Sequence, residues 1–132
     1  MFLSASSTRL ILTALLLSFA GSAFSQQVAP VGNWSGTLSL DGQDNQKSIG
    51  VQASFSATQV SVHFTQPIAC RINASFVKTT SDGSRYDLQP STNGGAFCTK
   101  LFPGVVYAFV SDNSINFSVH SDSSTWIGTL TH

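Results

Sequence analysis

The phrase WSGTLS occupies residues 34–39, and the similar phrase WIGTLT occupies residues 126–131, close to the other end of the chain. Alternate side chains of an extended strand face opposite ways, so the Trp, the Gly and the Leu of each phrase share one face. A first and a last strand with matching faces suit a closed β-structure, because closure removes two unpaired strand edges. We therefore expect the two phrases to meet at the seam of a barrel.

Between these phrases the chain alternates apolar and polar residues in short runs that are bounded by turn residues. Eight or nine such runs, with no helical periodicity, predict an all-β domain: a small antiparallel β-barrel or a β-sandwich. The tight connections favour the barrel. Residues 97–102 are predicted to form a short strand. Residues 105–110 are apolar at successive positions, which predicts a strand that is covered on both faces.

The first 25 residues are predicted to be a secretory signal peptide that is removed from the mature protein. Arg9 precedes an apolar run over residues 10–20, and small residues follow at positions 23 and 25. An uncleaved anchor is the alternative, but the run is shorter than the roughly 20 apolar residues that a membrane span needs. The prediction is an exported protein, periplasmic or extracellular, without membrane insertion after cleavage.

Residues 26–132 are long enough for one domain with one core. Of six basic residues, Arg9 lies in the leader, which leaves five against six acidic residues, all of them Asp. A nearly neutral chain without clusters of one sign has no electrostatic footprint for nucleic acid or an anionic membrane. Neither is expected as a partner.

The only two cysteines, Cys70 and Cys98, both lie in the mature region. An even pair in a small exported domain is typical of one structural disulfide. A metal pair or a reactive thiol would need a nearby His or a Cys-x-x-Cys spacing, and neither is present. The sequence therefore predicts a disulfide between Cys70 and Cys98.

No catalytic constellation is evident in the sequence. Most Asp residues fall in predicted turns, where Asp is favoured for local hydrogen bonds, and Asp87 within a strand is placed to pair with Arg85. His63 and His120 fall on predicted outer faces, and no spacing indicates a metal site or a nucleophilic serine. We expect no enzymatic activity, no metal and no cofactor.

Aromatic residues are the one suggestive group, because most of them fall on predicted inward faces, with either Phe109 or Tyr107 expected to join them. In a small barrel they fill the core or line a pocket for an apolar ligand. The residues with a possible role in lining such a pocket are Trp34, Phe64, Tyr86, Phe117 and Trp126.

The first predicted strand opens with Gly32, Asn33 and Trp34, which resembles the Gly-x-Trp signature of the calycins, the lipocalin and avidin-like barrels. The resemblance covers three residues and implies a calycin-like barrel. The second lipocalin signature and its closing arginine are not found in this chain, and no biotin-site residues match by position. No binding residue is therefore transferred from the family.

Two functional hypotheses remain. The first is a non-enzymatic binding module for a protein or a glycan, with contacts through the loops at residues 41–46, 79–83 and 90–96. The alternative is a carrier of a small apolar ligand in the barrel interior. The sequence names neither the ligand nor the partner.

Overall fold

The computed structural model describes residues 27–41, 48–91 and 95–132. Eight antiparallel strands, hydrogen-bonded in sequence order, close into a barrel. The strands are β1 (Gly32–Leu40), β2 (Ser48–Phe55), β3 (Gln59–Gln66), β4 (Cys70–Thr80), β5 (Gly83–Leu88), β6 (Gly104–Ser111), β7 (Ser114–Ser121) and β8 (Thr125–Thr131). A helix, α1 (Ala96–Leu101), lies between β5 and β6. The preference for a barrel over a sandwich is confirmed.

The seam of the barrel joins the two repeated phrases, as the sequence predicts. β1 pairs with β8 in a register that places Gly36 opposite Leu130 and Leu38 opposite Gly128. A Cβ atom on either glycine would collide with a backbone carbonyl oxygen of the facing strand. Glycine at these two positions therefore permits a close approach of the strands, while the leucine across the seam fills the interior.

Strict alternation along the strands sends the apolar side chains into the barrel. In β3, for example, Val60, Val62 and Phe64 have no exposed surface, whereas the residues between them face outward. The same parity holds around the ring, so one continuous apolar core fills the barrel. Burial of this core is the main stabilising term of the fold, because each large apolar side chain removed from water contributes about 1.5–3 kcal/mol.

Residues 97–102 were expected to form a strand, and that prediction is wrong. Residues 96–101 form helix α1, whose Cys98 and Leu101 are buried. The helix ends where Phe102 adopts an extended conformation, the conformation that the residue before a proline such as Pro103 prefers. Six residues are too few for a helical period to be recognised in the sequence.

The expectation for residues 105–110 is also wrong. Val106 and Ala108 are buried, but Tyr107 on the other face of β6 is 39% exposed. β6 is therefore covered on one face only, like an ordinary wall strand of a barrel. The expectation that Tyr107 or Phe109 points inward fails for both residues, because both have the outward parity.

The two ends of the barrel differ, and we name them here. At the helix end, α1 connects the end of β5 to the start of β6, and a disulfide between Cys70 and Cys98 ties it to the start of β4. At the N-terminal end, residues 27–31 lead into β1, and the turns at residues 56–58, 81–82 and 112–113 connect the strands. The predicted disulfide is confirmed, and such a bond fits an oxidising compartment.

Candidate functional site

All five residues proposed as possible ligand-lining groups are buried. Their exposed fractions are Trp34 7%, Phe64 0%, Tyr86 0%, Phe117 2% and Trp126 9%. The barrel interior is crossed by edge-to-face aromatic contacts, with Phe97 of α1 5.1 Å from Phe64 and 5.4 Å from Trp126 between ring centroids. Contacts of this kind stabilise a packed core. They favour core filling, and a ligand among these side chains stays a prediction.

Tyr86 carries an unusual polar group in the interior of the barrel. Its hydroxyl is buried and has no hydrogen-bond partner among the described residues. The nearby Ser84 hydroxyl lies 2.8 Å from the Thr79 hydroxyl. Burial raises the pKa of Tyr86 to about 12, and Ser84 acts in the opposite direction to a smaller extent. The ring lies against Phe55 and Phe76, in the half of the barrel nearer the N-terminal end.

The outer surface of β1–β4 carries a groove of about 500 Å³ that we name the polar groove. The strand register lines up Ser35, Gln52, His63 and Arg71 in one row across the four strands. The other residues around the groove are Asn33, Trp34, Ala53, Ser54, Ser61 and His132. Most of these side chains carry hydroxyl, amide, imidazole or guanidinium groups, so the groove consists mainly of hydrogen-bonding groups.

The margin of the polar groove near β8 is formed by a stacked pair. The imidazole of His132 lies over the indole of Trp34, with 3.6 Å between ring centroids and 34° between planes. The indole Nε1 donates a hydrogen bond of 2.9 Å to the Val31 carbonyl oxygen. Trp34 is thus held from both sides, and its position next to His132 follows from closure of the barrel rather than from any sequence motif.

A second groove, of about 590 Å³, lies on the outer surface of β6–β8. It contains three large apolar side chains, Tyr107, Phe109 and Ile127, which we name the aromatic wall. Tyr107 is 39% and Ile127 43% exposed. Asn116 and Thr129 lie beside them in the same groove. β7 and β3 are four strands apart in a ring of eight, so the aromatic wall and the polar groove are on opposite sides of the barrel.

The outer face of β7 also carries a serine next to a histidine. Nε2 of His120 is 3.0 Å from the Ser118 hydroxyl, and Nδ1 is 3.3 Å from the Thr125 hydroxyl. The order of nucleophile, base and orienting group resembles that of a hydrolase. Ser118, however, lies in the middle of a strand that pairs on both sides, with Tyr107 and with Ile127. Backbone N–H groups are therefore committed to the sheet and are not free to stabilise an oxyanion.

The three loops that were expected to make contacts do not form one surface. Residues 42–46 and 92–94 lie outside the described residues. The described parts of the first and third loops are at the helix end, whereas residues 79–83 are at the N-terminal end. Within the segment 79–83 only residues 81 and 82 form the turn, since the others extend β4 and β5. A single partner bound through all three loops would have to span the length of the barrel.

The charged residues on the strands behave largely as the sequence predicts. Arg85 and Asp87 form an ion pair of 3.1 Å on the outside of β5. Both side chains are well exposed, so the pair contributes little stability. His63 and His120 are on the outer face, as expected. In the described parts of the chain, no three His, Cys, Asp or Glu residues are grouped closely enough to hold a metal ion.

Sequence reasoning missed both outer grooves. The alternation of residues identifies which side chains face outward, but the row from Ser35 to Arg71 requires the register of four strands. The apolar residues at outward positions of β6 were the available signal for the aromatic wall. They predicted instead a strand that is covered on both faces. Across the described residues, the structure has no helix with the length and apolar character needed to cross a bilayer. No protein-family model, curated protein or solved structure is significantly similar to this chain.

Proposed function

We propose that this protein is an exported, non-enzymatic binding module that holds another protein against the aromatic wall. The observation that carries the proposal is the exposure of Tyr107 and Ile127, with the half-buried Phe109 beside them, on the outside of a closed barrel. Apolar side chains in contact with water on neighbouring strands are typical of an interaction surface. A closed barrel has no free edge, so a partner must bind side chains rather than add a strand.

The composition of the aromatic wall supports a protein as the partner rather than a glycan. Aromatic residues are enriched and charged residues depleted at the centres of protein interfaces, which are surrounded by a polar rim. The aromatic wall has two aromatic rings and one isoleucine, with Asn116, Ser118 and Thr129 around them. Two charged side chains lie at its edge, Asp82 and, opposite Tyr107 on β5, Arg85. An apolar centre with a polar rim fits this description.

Export is part of the proposal. The leader over residues 1–25 has the features of a secretory signal, and the disulfide fits an oxidising compartment. We infer a periplasmic or extracellular location. We infer no hydrolase activity from the Ser118–His120 pair, because Ser118 lies in a strand whose backbone is paired on both sides.

The alternative function, a carrier of an apolar ligand inside the barrel, has weaker support. Phe97 of α1 packs directly against Phe64 and Trp126 at the helix end. Entry of a ligand there would require displacement of a helix that is tied to β4 by the disulfide. The interior is better explained as a core.

Photo-cross-linking from the exported protein in its own cells tests the proposal. A benzophenone amino acid is placed in the aromatic wall by Ile127→p-benzoylphenylalanine, and the matched control carries it at exposed Asn73 of β4. We expect a discrete cross-linked product from position 127 that is lost when Tyr107→Ser is added, and none from position 73. A product of twice the monomer mass would identify the partner as a second copy. The same pattern from both positions, or no product from position 127, would overturn the proposal.

A further inference from the structure

The polar groove differs in charge from the other grooves on the outside of the barrel. Three other grooves on the described surface each include at least one aspartate side chain. The groove of the aromatic wall has Asp82, a groove beside β5 has Asp87 and Asp122, and a groove at the helix end has Asp41 and Asp122. The polar groove has no acidic side chain, and it contains Arg71, His63 and His132. We propose that the polar groove binds a saccharide that carries a carboxylate, such as a uronic acid unit.

Arg71 supplies the anion-binding group. It is exposed on β4, and among the described residues no carboxylate lies within ion-pair distance of it, whereas Arg85 is 3.1 Å from Asp87. A guanidinium presents parallel N–H donors that match the two oxygens of a carboxylate. His63 is directly opposite Arg71 in the β3–β4 register, so the two side chains start about 5 Å apart and can contact the same group.

The remaining polar side chains suit sugar hydroxyls. Ser35 and Gln52 continue the row that ends at His63 and Arg71, and a second row runs through Asn33, Ser54 and Ser61. Serine hydroxyls and the amides of Asn and Gln both donate and accept hydrogen bonds. A sugar hydroxyl also does both, so two parallel rows of such groups match an extended saccharide better than they match an apolar ligand.

The dimensions of the groove fit a small oligosaccharide. Its volume of about 500 Å³ lies within the range of small-molecule sites. Neighbouring strands are about 4.8 Å apart, so the row from β1 to β4 extends over about 14 Å.

This proposal is independent of the proposed protein partner, because the aromatic wall is on the opposite side of the barrel. The polar groove is therefore tested on the purified mature protein, with galacturonic acid trimer as the probe and amide chemical shifts and calorimetry as readouts. We expect saturable shifts of β2 and β3 amides. Arg71→Gln, which removes the charge but keeps a polar side chain, is expected to weaken binding about tenfold or more.

Three controls make the result decisive. Arg85→Gln changes an arginine outside the polar groove and is expected to leave the affinity unchanged. The carboxyl-reduced, neutral trimer tests the charge, and the tripeptide Ala-Ala-Ala tests whether any carboxylate suffices; neither is expected to bind. Binding of the neutral trimer or of the tripeptide as strong as that of the acidic trimer overturns the proposal. Full affinity in an Arg71→Gln variant whose amide spectrum shows that it is folded also overturns the proposal. The absence of amide shifts with the acidic trimer does so as well.

Discussion

The two ends of the barrel are closed by different means. At the helix end, Phe97 packs onto Phe64 and Trp126, and a disulfide holds α1 to β4. At the N-terminal end, closure depends on Pro30, which is buried, and on hydrogen bonds. The Gln27 amide makes two of these, since Nε2 donates to the Val110 carbonyl and Oε1 accepts from the Val110 N–H, each at 3.1 Å.

The reason for the Gln27 contact lies in unequal strand lengths. β5 pairs with β6 only as far as Ala108, so Val110 extends beyond its neighbour with a backbone N–H and carbonyl that lack a strand partner on that side. The Gln27 side chain takes the place of a strand residue there. Covalent and apolar closure at one end, against polar closure at the other, predicts that the helix end is the more stable of the two.

Removal of the disulfide is expected to have the largest effect. In the chain-entropy model, a bond between residues 28 apart in sequence contributes about 3.6 kcal/mol to the free energy of unfolding. The double variant Cys70→Ser, Cys98→Ser is therefore expected to unfold at a much lower urea concentration than the oxidised protein. Reduced wild-type protein is the matched control and should unfold at the same urea concentration as the double variant. An unchanged midpoint would mean that apolar packing of α1 alone closes the helix end.

Loss of the Gln27 amide is expected to have a smaller effect, about 1–2 kcal/mol, because two partly buried hydrogen bonds are replaced by water. Gln27→Ala should also accelerate hydrogen exchange of the Val110 amide, whose N–H donates to Gln27. Val28→Ala, a change at the exposed neighbouring position, serves as the control. If Val110 exchanges at the same rate in both variants, the N-terminal end is not closed in this way.

The smallest effect at neutral pH is expected at Tyr86, which lies nearer the N-terminal end. A buried hydroxyl without a partner is destabilising, so Tyr86→Phe is expected to raise the free energy of unfolding by about 1 kcal/mol. Tyr107→Phe removes the same atom from an exposed tyrosine and should change little. A loss of stability in Tyr86→Phe, measured by urea unfolding, would indicate that the Tyr86 hydroxyl is satisfied in solution.

The same pair of variants has a defined pH dependence. The pKa of Tyr86 is raised from about 10 in the unfolded chain to about 12 in the folded protein. Between these values the unfolded chain releases a proton that the folded protein keeps, so stability falls as pH rises, at up to about 1.4 kcal/mol per unit. This slope should disappear in Tyr86→Phe and persist in Tyr107→Phe. Equal slopes in both variants would show that Tyr86 is not the source of this pH dependence.

The fold was largely predictable because strand alternation is a local property. The faces of β2 and β3 follow from the positions of Ile49, Val51, Val60 and Val62 alone, and all four residues are buried. Helix α1 was not predictable in this way. Its Phe97 and Leu101 are four residues apart, which is a helical spacing. A single spacing of this kind within six residues is equally compatible with a short irregular strand.

The candidate sites were much less predictable than the fold. Outward parity was correct for His63, yet only the β3–β4 register places its side chain beside that of Arg71. The loops, chosen because loops often carry contacts, are divided between the two ends of the barrel. Phe109 and Tyr107 were expected in the core because they are aromatic, although their parity places them outside.

The amino-acid sequence by itself determined the β-class of the chain, the inward faces of most strands, the pairing of Cys70 with Cys98 and the two strands that close the barrel. These properties depend on alternation, composition and cysteine count, which are local or countable. Only the tertiary structure decided the polar groove, the aromatic wall, helix α1 and the contact of Gln27 with Val110. Each of these depends on which distant residues become neighbours when the sheet closes, and that is set by strand register and relative strand length.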